Sequence, residues 1–360
     1  MRFASDNAGP VHPKVMAALA AANDGYALPY GDDTIMDEVS ARIRTLFEAP
    51  EAVVYLVATG TAANALALAT LAHPWQTIFC TAPAHINVDE CNAPEFFTGG
   101  AKLTLVEAAD AKMRPEMLRG VIEIEEKRGV HGPQRGPVSL TNVTELGTVY
   151  STEEIAALTG VAKDYGLPTY LDGARLANAL AATGASPAEM TWQAGVDAVS
   201  FGGTKNGLMG VEAVVLFDPA HAWEFELRRK RAAHLFSKHR YLSAQMLAYL
   251  EDDLWLEMAR AANAANARLA DGLRATGTVD YAHAPDANMS FAAWPRAAHQ
   301  RLHDAGASYY VWEGALEGDD PDEMLTARLV CDWSASNAAT DQFVELVQGK
   351  GTAVPVSDRS

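Results

Sequence analysis

The sequence predicts an α/β protein with two parts: a large domain built on a mainly parallel sheet between helices, and a smaller C-terminal α+β domain. Strand and helix patterns alternate through residues 50–220, which is typical of parallel strands joined by right-handed crossovers. From about residue 245, long helical patterns are followed by strands interleaved with helices. Polar residues directly follow four of the strands, namely His85, Glu145, Asp172 and Lys205. Because ligands of open α/β sheets bind beyond the carboxyl ends of strands, we expect these residues to share one site.

Composition limits the classes of function. The 360 residues carry a formal net charge of -18, which argues against a nucleic acid or an anionic membrane as a partner. Three cysteines indicate a reducing compartment without a disulfide framework. Residues 1–7 lack the apolar segment of a signal peptide, and no apolar run reaches membrane-spanning length. We therefore expect a cytoplasmic protein.

The N-terminal stretch leads to a candidate anion site. Residues 5–33 are irregular apart from one short helix at residues 13–22. A strand at residues 53–57 precedes Gly60 and Thr61, which open an alanine- and leucine-rich helix. The free amides and the dipole of such a helix N-terminus attract an anion such as phosphate. A threonine that merely caps the helix is the alternative.

The middle of the chain supplies the rest of the large domain. Strand patterns lie at residues 77–81, 102–107, 137–142, 167–171, 196–201 and 211–217. Helix patterns lie at residues 35–47 and 117–127. Asp33 or Thr34 is suited to cap the first, and Ser151 with Glu154 forms the capping-box pattern of a later helix that ends at Tyr165.

Lys205 lies in a glycine-flanked turn between two apolar strands, in the run Ser200-Phe201-Gly202-Gly203-Thr204-Lys205-Asn206-Gly207. Glycines let backbone segments approach closely, so the lysine stem has little freedom. A lysine that must meet a carbonyl group in one geometry needs such positioning, because imine chemistry requires a placed amine. An exposed loop lysine is the alternative.

The C-terminal part is predicted as a separate domain. A helix at residues 252–276 precedes strands and further helices, at residues 288–294, 297–305, 308–312, 326–332 and 338–347. We place the large domain at residues 1–245, including an N-terminal segment at 1–33, and the small domain at 246–349. Residues 350–360 are expected to be disordered.

Four requirements of pyridoxal 5′-phosphate are met in chain order. Gly60 and Thr61 offer amides to the phosphate, and His85 offers a flat ring that can stack on the cofactor. Asp172 offers the carboxylate that keeps the ring nitrogen protonated, and Lys205 offers the amine that binds the aldehyde. The residues between Asp172 and Lys205 suffice for one crossover between neighbouring parallel strands.

These features resemble the L-threonine aldolases of low specificity, in the fold-type I family of pyridoxal-phosphate enzymes that includes aspartate aminotransferase. The similar motifs are Ser5-Asp6-Asn7, Tyr30-Gly31-Asp32-Asp33, Gly60-Thr61-Ala62-Ala63-Asn64, Ala84-His85, Asp172-Gly173-Ala174-Arg175, Gly203-Thr204-Lys205-Asn206-Gly207 and Thr326-Ala327-Arg328-Leu329-Val330. Together they cover the chain from residue 3 to about residue 347. The resemblance implies a pyridoxal-phosphate-dependent lyase that cleaves β-hydroxy-α-amino acids, including L-threonine and L-allo-threonine, to glycine and an aldehyde.

The resemblance also implies roles for individual residues. The catalytic group would be Lys205, His85 and Asp172; the cofactor would also contact Gly60, Thr61, Arg175 and Thr204. The substrate would contact Ser5, Tyr30, Glu145, Arg175 and Arg328, of which the serine and the arginines would bind its carboxylate. No residue is assigned to a metal. The resemblance further implies a homo-oligomer, a dimer or a tetramer, with active sites shared between subunits.

Two departures and two alternatives accompany the resemblance. Many family members have Ser-Asp-Thr at residues 5–7, and many have histidine in place of Glu145 beside the substrate side chain. The second departure leaves the aldehyde preference open.

Within enzymes, the alternative is a related lyase, either a β-eliminating enzyme or one similar to serine hydroxymethyltransferase. Outside enzymes, the alternative is a nucleotide-binding or regulatory protein, although the chain lacks a P-loop motif.

Overall fold

The computed structural model describes residues 1–350, so the predicted disordered tail at residues 350–360 lies outside the described residues except for Lys350. The chain divides into two compact units. The larger comprises Val11–Glu145 and Val149–Leu256, and the smaller comprises Met1–Pro10, Leu146–Thr148 and the chain from Glu257 onward. The proposal of separate domains at residues 1–245 and 246–349 stays a prediction.

The larger unit contains a seven-stranded sheet. The strands in chain order are β1 Val53–Val57, β2 Gln76–Thr81, β3 Lys102–Val106, β4 Ala108–Ala109, β5 Lys112–Met113, β6 Gln134–Thr141, β7 Thr169–Asp172, β8 Ala198–Gly202 and β9 Glu212–Leu216. The sheet has the order β1-β9-β8-β7-β6-β2-β3, and β4 pairs only with β5. Neighbouring strands from β8 to β3 are parallel, whereas β9 is antiparallel to β8 and β1. The predicted mainly parallel sheet is confirmed.

Helices surround this sheet. In chain order they are α1 Pro13–Ala21, α2 Thr34–Leu46, α3 Gly60–Leu71, α4 His85–Val88, α5 Ala93–Thr98, α6 Pro115–Ile124, α7 Thr152–Asp164, α8 Leu176–Thr183, α9 Pro187–Met190, α10 Ala222–Arg231 and α11 Arg240–Leu250. The next helix, α12 Leu254–Arg274, belongs to the smaller unit from Glu257 onward. Of the helices within residues 1–350, none is long and apolar enough to cross a membrane.

Local side chains explain where these helices begin and end. Asp33 caps α2, since its Oδ1 accepts from the Met36 amide at 3.0 Å. The capping box of Ser151 and Glu154 at the start of α7 is confirmed. The helix predicted at residues 117–127 instead ends at Ile124, because the following backbone is first extended and then left-handed. The sequence patterns also did not predict α4, α5, α8 and the short strands β4 and β5.

Helix α3 is central to the packing of the larger unit. Nine consecutive residues, 62–70, are buried, as expected for a helix that is apolar on all sides. Its small alanine side chains let α5 and α10 pack closely against it. The helix is therefore a rigid mount for Asn64, a buried polar residue near its N-terminus.

The smaller unit is built on an antiparallel sheet of four strands. These are β10 Asp280–Tyr281, β11 Met289–Pro295, β12 Tyr310–Glu313 and β13 Met324–Val330, in the order β10-β11-β13-β12. Two further helices, α13 Arg296–Asp304 and α14 Asn337–Val347, cover a core that includes Trp294 and Phe343. Three strands were predicted; the last of them, placed at residues 326–332, begins and ends two residues earlier, and β10 was missed.

Candidate active site

The junction between β1 and α3 presents backbone donors to open space. Thr59 caps the helix, because its hydroxyl oxygen accepts from the Ala62 amide at 3.1 Å. The amides of Gly60 and Thr61 lie in the first turn, where a helix supplies no carbonyl partner. A Cβ atom added to Gly60 would meet nothing within 4 Å. The cap that the sequence allowed at Thr61 is thus made by Thr59, and the next two amides point to where an anion can bind.

Asp172 ends β7 with both carboxylate oxygens fixed. Oδ2 accepts from Asn64 Nδ2 at 2.9 Å, and Oδ1 accepts from the Ala174 amide at 2.9 Å. Asn64 is oriented in turn by the Tyr170 hydroxyl, which donates to its Oδ1 at 2.7 Å. Asp172 is 4% exposed. A desolvated carboxylate in one fixed orientation is suited to binding a cationic ring nitrogen.

His85, the first residue of α4, is paired with the buried Glu90. Its Nδ1 lies 2.7 Å from Glu90 Oε1, and the same oxygen accepts from Asn64 Nδ2 at 2.7 Å. This hydrogen bond raises the pKa of His85 above its ordinary value, against the opposing effect of burial. Burial raises the pKa of Glu90 as well. The arrangement is an imidazole–carboxylate pair, which can accept a proton on the ring and stabilise the resulting charge.

Glu145 reaches the same place from the loop that follows β6. Its Oε1 accepts from the His85 amide at 2.9 Å and from the Thr141 hydroxyl at 3.0 Å. Its Oε2 is buried and has no hydrogen-bond partner among the described residues. Burial raises the pKa of this carboxyl group. A protonated Glu145 can donate a hydrogen bond, which a carboxylate cannot.

Lys205 follows β8 in a short 3-10 helix, Thr204–Asn206. The backbone before it is packed too tightly for a side chain, since a Cβ atom on Gly202 would lie 2.4 Å from the Ala174 carbonyl oxygen. Behind the turn, Asn206 Nδ2 donates to the Tyr249 hydroxyl at 2.7 Å. These contacts fix the backbone from which the lysine side chain projects.

Electrostatic coupling links these residues. Beyond the stronger effects of Glu90 and burial, the charge of Lys205 lowers the pKa of His85, and the charge of Asp172 raises it. Such coupling requires the three groups to be near one another. Hydrogen bonds through Asn64, Glu90 and the His85 amide bring Asp172, His85 and Glu145 together, and the charge of Lys205 acts on the same His85. The shared site stays a prediction.

Of the other predicted residues, Arg175 and Thr204 are close in sequence to Asp172 and Lys205, whereas Tyr30 lines a separate cavity. Arg175 is the residue before α8, three positions beyond Asp172. The Thr204 hydroxyl oxygen accepts from the Val211 amide at 3.2 Å. Tyr30 lines a cavity of about 500 Å³ with Lys230, whose Nζ lies 5.1 Å from the centroid of the tyrosine ring. Lys205, His85, Asp172 and Glu145 are not among the residues that line that cavity.

Ser5 and Arg328 belong to the smaller unit. The serine hydroxyl oxygen accepts from the Asn7 amide at 3.2 Å. The Arg328 guanidinium, on β13, donates to the Ala4 carbonyl oxygen at 3.3 Å. The structure thus places Arg328 against the backbone of the residue before Ser5, and the role of both residues stays a prediction.

No role was predicted from the sequence for three residues at the larger unit's site, namely Asn64, Glu90 and Glu212. The sequence did offer an indication for Asn64, because it lies in a helix of alanine and leucine residues that is expected to be buried. Burying an asparagine is unfavourable unless its amide forms hydrogen bonds. Glu90 had a weaker one, its spacing from His85. Glu212 opens β9 and accepts from the Gly203 amide at 2.8 Å. Because an acid at a strand end looks like a surface residue, its burial could not be read from the pattern.

Comparison with known proteins gives one consistent result. Residues 2–294 match the beta-eliminating lyase family. A low specificity L-threonine aldolase of Pseudomonas aeruginosa is 39% identical over 332 residues, 92% of each chain. A second, from a Pseudomonas species, is 36% identical over 94% of each chain. Among solved structures, a threonine aldolase of Leishmania major superposes with a TM-score of 0.90 at 27% identity, covering 97% of this chain and 98% of that chain. A serine palmitoyltransferase of Sphingomonas wittichii shares the fold, with a TM-score of 0.69 at 16% identity over 97% and 86% of the two chains.

Proposed function

The chain belongs to the beta-eliminating lyase family, and on that premise we propose that it is a pyridoxal-phosphate-dependent L-threonine aldolase of low specificity. It cleaves L-threonine, L-allo-threonine and other β-hydroxy-α-amino acids to glycine and an aldehyde. The observation that carries this proposal is the convergence of Lys205, Asp172 and the His85–Glu90 pair at the carboxyl ends of parallel strands. The names of the sequence relatives support the same reaction.

The residues present fit pyridoxal 5′-phosphate. Open space at Gly60 and the amides beside it suit the phosphate, and the fixed carboxylate of Asp172 suits the ring nitrogen. Lys205 would bind the aldehyde carbon covalently, with Thr204 and Arg175 as further contacts. When bound, the cofactor supplies an electron-accepting ring that takes up the electron pair of the broken Cα–Cβ bond.

His85 would act as the base. As the Cα–Cβ bond breaks, its ring nitrogen Nε2 would take the proton of the β-hydroxyl group, and the hydroxyl oxygen becomes the aldehyde oxygen. Glu90 holds the other ring nitrogen, Nδ1, and stabilises the positive charge that the ring gains. Glu145, fixed on the His85 amide, would contact the substrate side chain.

The substrate carboxylate needs cationic and neutral donors. Arg175 and Arg328 would supply guanidinium groups, which bind carboxylates in a bidentate manner. Ser5 would supply a hydroxyl donor. Tyr30 would contact the substrate from a neighbouring subunit, as described below.

Product analysis tests the reaction. Purified protein is incubated with L-threonine, L-allo-threonine and β-phenylserine, and glycine and aldehyde are measured separately. Equal amounts of glycine and aldehyde are expected. Release of ammonia and a 2-keto acid would instead indicate a β-eliminating lyase, and a requirement for tetrahydrofolate would indicate similarity to serine hydroxymethyltransferase. Absence of visible cofactor absorption would refute the whole class.

We also propose a homo-oligomer, a dimer or a tetramer, with shared active sites. Residues 228–231 are all basic and form a cluster near the end of α10. Arg228 pairs with Glu224 of its own helix at 2.6 Å. Arg229 is buried over the Tyr55 ring, 4.9 Å from its centroid. Lys230 instead lies over the exposed Tyr30, and both residues line the same cavity. We therefore assign Lys230 and Tyr30 to the active site of a neighbouring subunit, where the lysine would bind the cofactor phosphate.

Sedimentation and complementation test the shared site. Several chains should sediment together and remain together on dilution. Mixed oligomers of a Lys205→Ala variant and a Lys230→Glu/Arg231→Glu variant should regain activity that neither parent has, because some sites receive both intact surfaces. A monomer, or no recovery after verified subunit exchange, would contradict the proposal.

A cytoplasmic location completes the proposal. Cys80, Cys91 and Cys331 are free thiols, and Cys91 is exposed, which suits a reducing compartment. Fractionation of the source cells tests it, and recovery outside the cytoplasm would contradict it.

A further inference from the structure

Glu212 is a buried acid beside the lysine turn, and nothing above gives it a function. It is the first residue of β9, where it stands opposite Gly202 of β8 and Val57 of β1. Only 5% of its surface is exposed. Burying a carboxyl group at this position is costly unless its interactions compensate.

The interactions of Glu212 are with the turn that carries Lys205. Its Oε2 accepts from the Gly203 amide at 2.8 Å, and the Thr204 side chain lies close enough to lower the pKa of its carboxyl group. The next residue in the turn is Lys205 itself. Glu212 therefore fixes Gly203, and the Val211 amide, next to Glu212 in the chain, donates to the Thr204 hydroxyl oxygen.

The charges around Glu212 are those of the proposed active site. The pKa of Glu212 is raised to about 7, chiefly by burial, although Thr204, the Gly203 amide and the charge of Lys205 act in the opposite direction. The charge of Asp172 adds to the rise. The charge of Glu212 also adds to the effect of burial on the pKa values of two phenols, Tyr170 and Tyr249, which are both buried. The phenols stay neutral because burial raises their pKa values, so Lys205 is the cation among the groups that influence the pKa of Glu212.

A neutral acceptor would satisfy the Gly203 amide equally well, so hydrogen bonding alone does not explain an acid here. A carboxylate adds a negative charge that favours the protonated state of a nearby nitrogen. We propose that Glu212 is the positioning residue of the cofactor-binding lysine: it fixes the Gly203–Thr204 turn and holds a proton on the nitrogen of Lys205. This inference rests on the proposed function, in which Lys205 binds the cofactor.

The experiment uses the holoenzyme. Borohydride reduction followed by peptide mapping first identifies the lysine that carries the cofactor. The visible absorbance is then titrated with pH for the wild type, Glu212→Gln and Asp197→Asn. Asp197 is the matched control, because it is a carboxylate partly removed from solvent next to the other end of β8, and its pKa is also raised by burial.

Loss of the Glu212 charge should move the midpoint of the titration down by about one pH unit, a tenfold lower proton affinity of the lysine nitrogen. The control should titrate like the wild type. If Glu212→Gln does not fold, as judged by thermal melting, Glu212→Asp is measured; drawing the carboxylate back by one methylene should also lower the midpoint.

The outcomes separate the two claims. Label on Lys205 with a lowered midpoint supports the role of Glu212. Label on Lys205 with the wild-type midpoint refutes that role and leaves the proposed function intact. Label on a different lysine refutes the proposed site, and with it the role of Glu212.

Discussion

The candidate site residues of the larger unit lie where strands of its seven-stranded sheet end, a region called the sheet edge below. They are held in a different way from Arg328, the candidate on strand β13 of the smaller unit. At the sheet edge, a buried polar side chain fixes each candidate: Asn64 for Asp172, Glu90 for His85 and Glu212 for the Lys205 turn. On β13, Arg328 alternates with the buried Ala327 and Leu329 and donates to a backbone carbonyl.

This difference separates two tasks. A buried polar network fixes the orientation of each side chain in it. Loss of one member lowers the stability of the fold, because the remaining polar groups stay buried without a partner. A side chain presented by strand alternation can be changed without disturbing a network. We therefore expect substitutions at the sheet edge to impair the chemical step, and substitution of Arg328 to impair substrate binding.

The largest effect should come from Lys205→Ala. Removal of the amine abolishes covalent attachment of the cofactor, so turnover should fall by on the order of a thousandfold or more. Steady-state assays and borohydride labelling measure the two consequences. Lys127→Ala, an exposed lysine on the same unit, is the control and should behave as wild type. A variant that keeps both turnover and label would place the chemistry elsewhere.

Asp172→Asn should have the next largest effect. The amide keeps the shape but cannot hold a proton on the ring nitrogen by charge, so an interaction of about 1.5–3 kcal/mol is lost. We expect a kcat lowered by roughly tenfold to a hundredfold, together with weaker cofactor binding. Asp164→Asn is the control, because Asp164 forms only an exposed ion pair with Arg119. A kcat near that of the wild type would rule out the proposed contact with the ring nitrogen.

The same comparison shows what the sequence could reveal. Strand ends of the parallel sheet were predictable, because apolar runs stop at polar residues such as Asp172 and His85. Their buried supports were not: Glu90 lies in a short loop without periodicity, and Glu212 opens a strand where acids are usually exposed. The sequence placed Arg328 in a strand, which the structure confirms, while its role stays a prediction. The pairing of β13 with the segment around Phe3 could not be predicted. Phe3 forms backbone hydrogen bonds with residues 308 and 330, which are distant from it in the sequence.

Arg328→Ala tests the other half of the comparison. Loss of a charge-assisted hydrogen-bonded pair with the substrate carboxylate should raise KM for L-threonine by about tenfold to a hundredfold, while kcat and the cofactor spectrum change little. Arg268→Ala, which removes an exposed pair with Asp341 in the same unit, should leave KM unchanged. If KM stays constant in both variants, Arg328 has a structural role only.

The smallest effect is expected for Glu90→Gln, and it concerns pH. In the wild type, the hydrogen bond to Glu90 raises the pKa of His85, so the free base forms only above that raised value. Glutamine removes the negative charge, and the pKa of His85 should fall. The acidic limb of the profile of kcat/KM against pH should therefore move to lower pH. On the alkaline side of that limb, a less basic imidazole should be about tenfold slower.

Measurement of kcat/KM for L-threonine between pH 5 and pH 9 separates this role from simple loss of packing. A packing defect would lower the rate by the same factor at every pH, whereas a changed base moves the limb. Glu95→Gln is the control, since Glu95 is a partly buried acid of the neighbouring helix α5 whose carboxylate makes no described bond to His85. A limb that stays in place in the Glu90 variant, with a uniformly lower rate, would mean that the carboxylate orients the sheet edge without setting the basicity of His85. A limb that moves to lower pH would identify the imidazole–carboxylate pair as the base, and would place the control of basicity in a residue fixed by the same asparagine that holds Asp172.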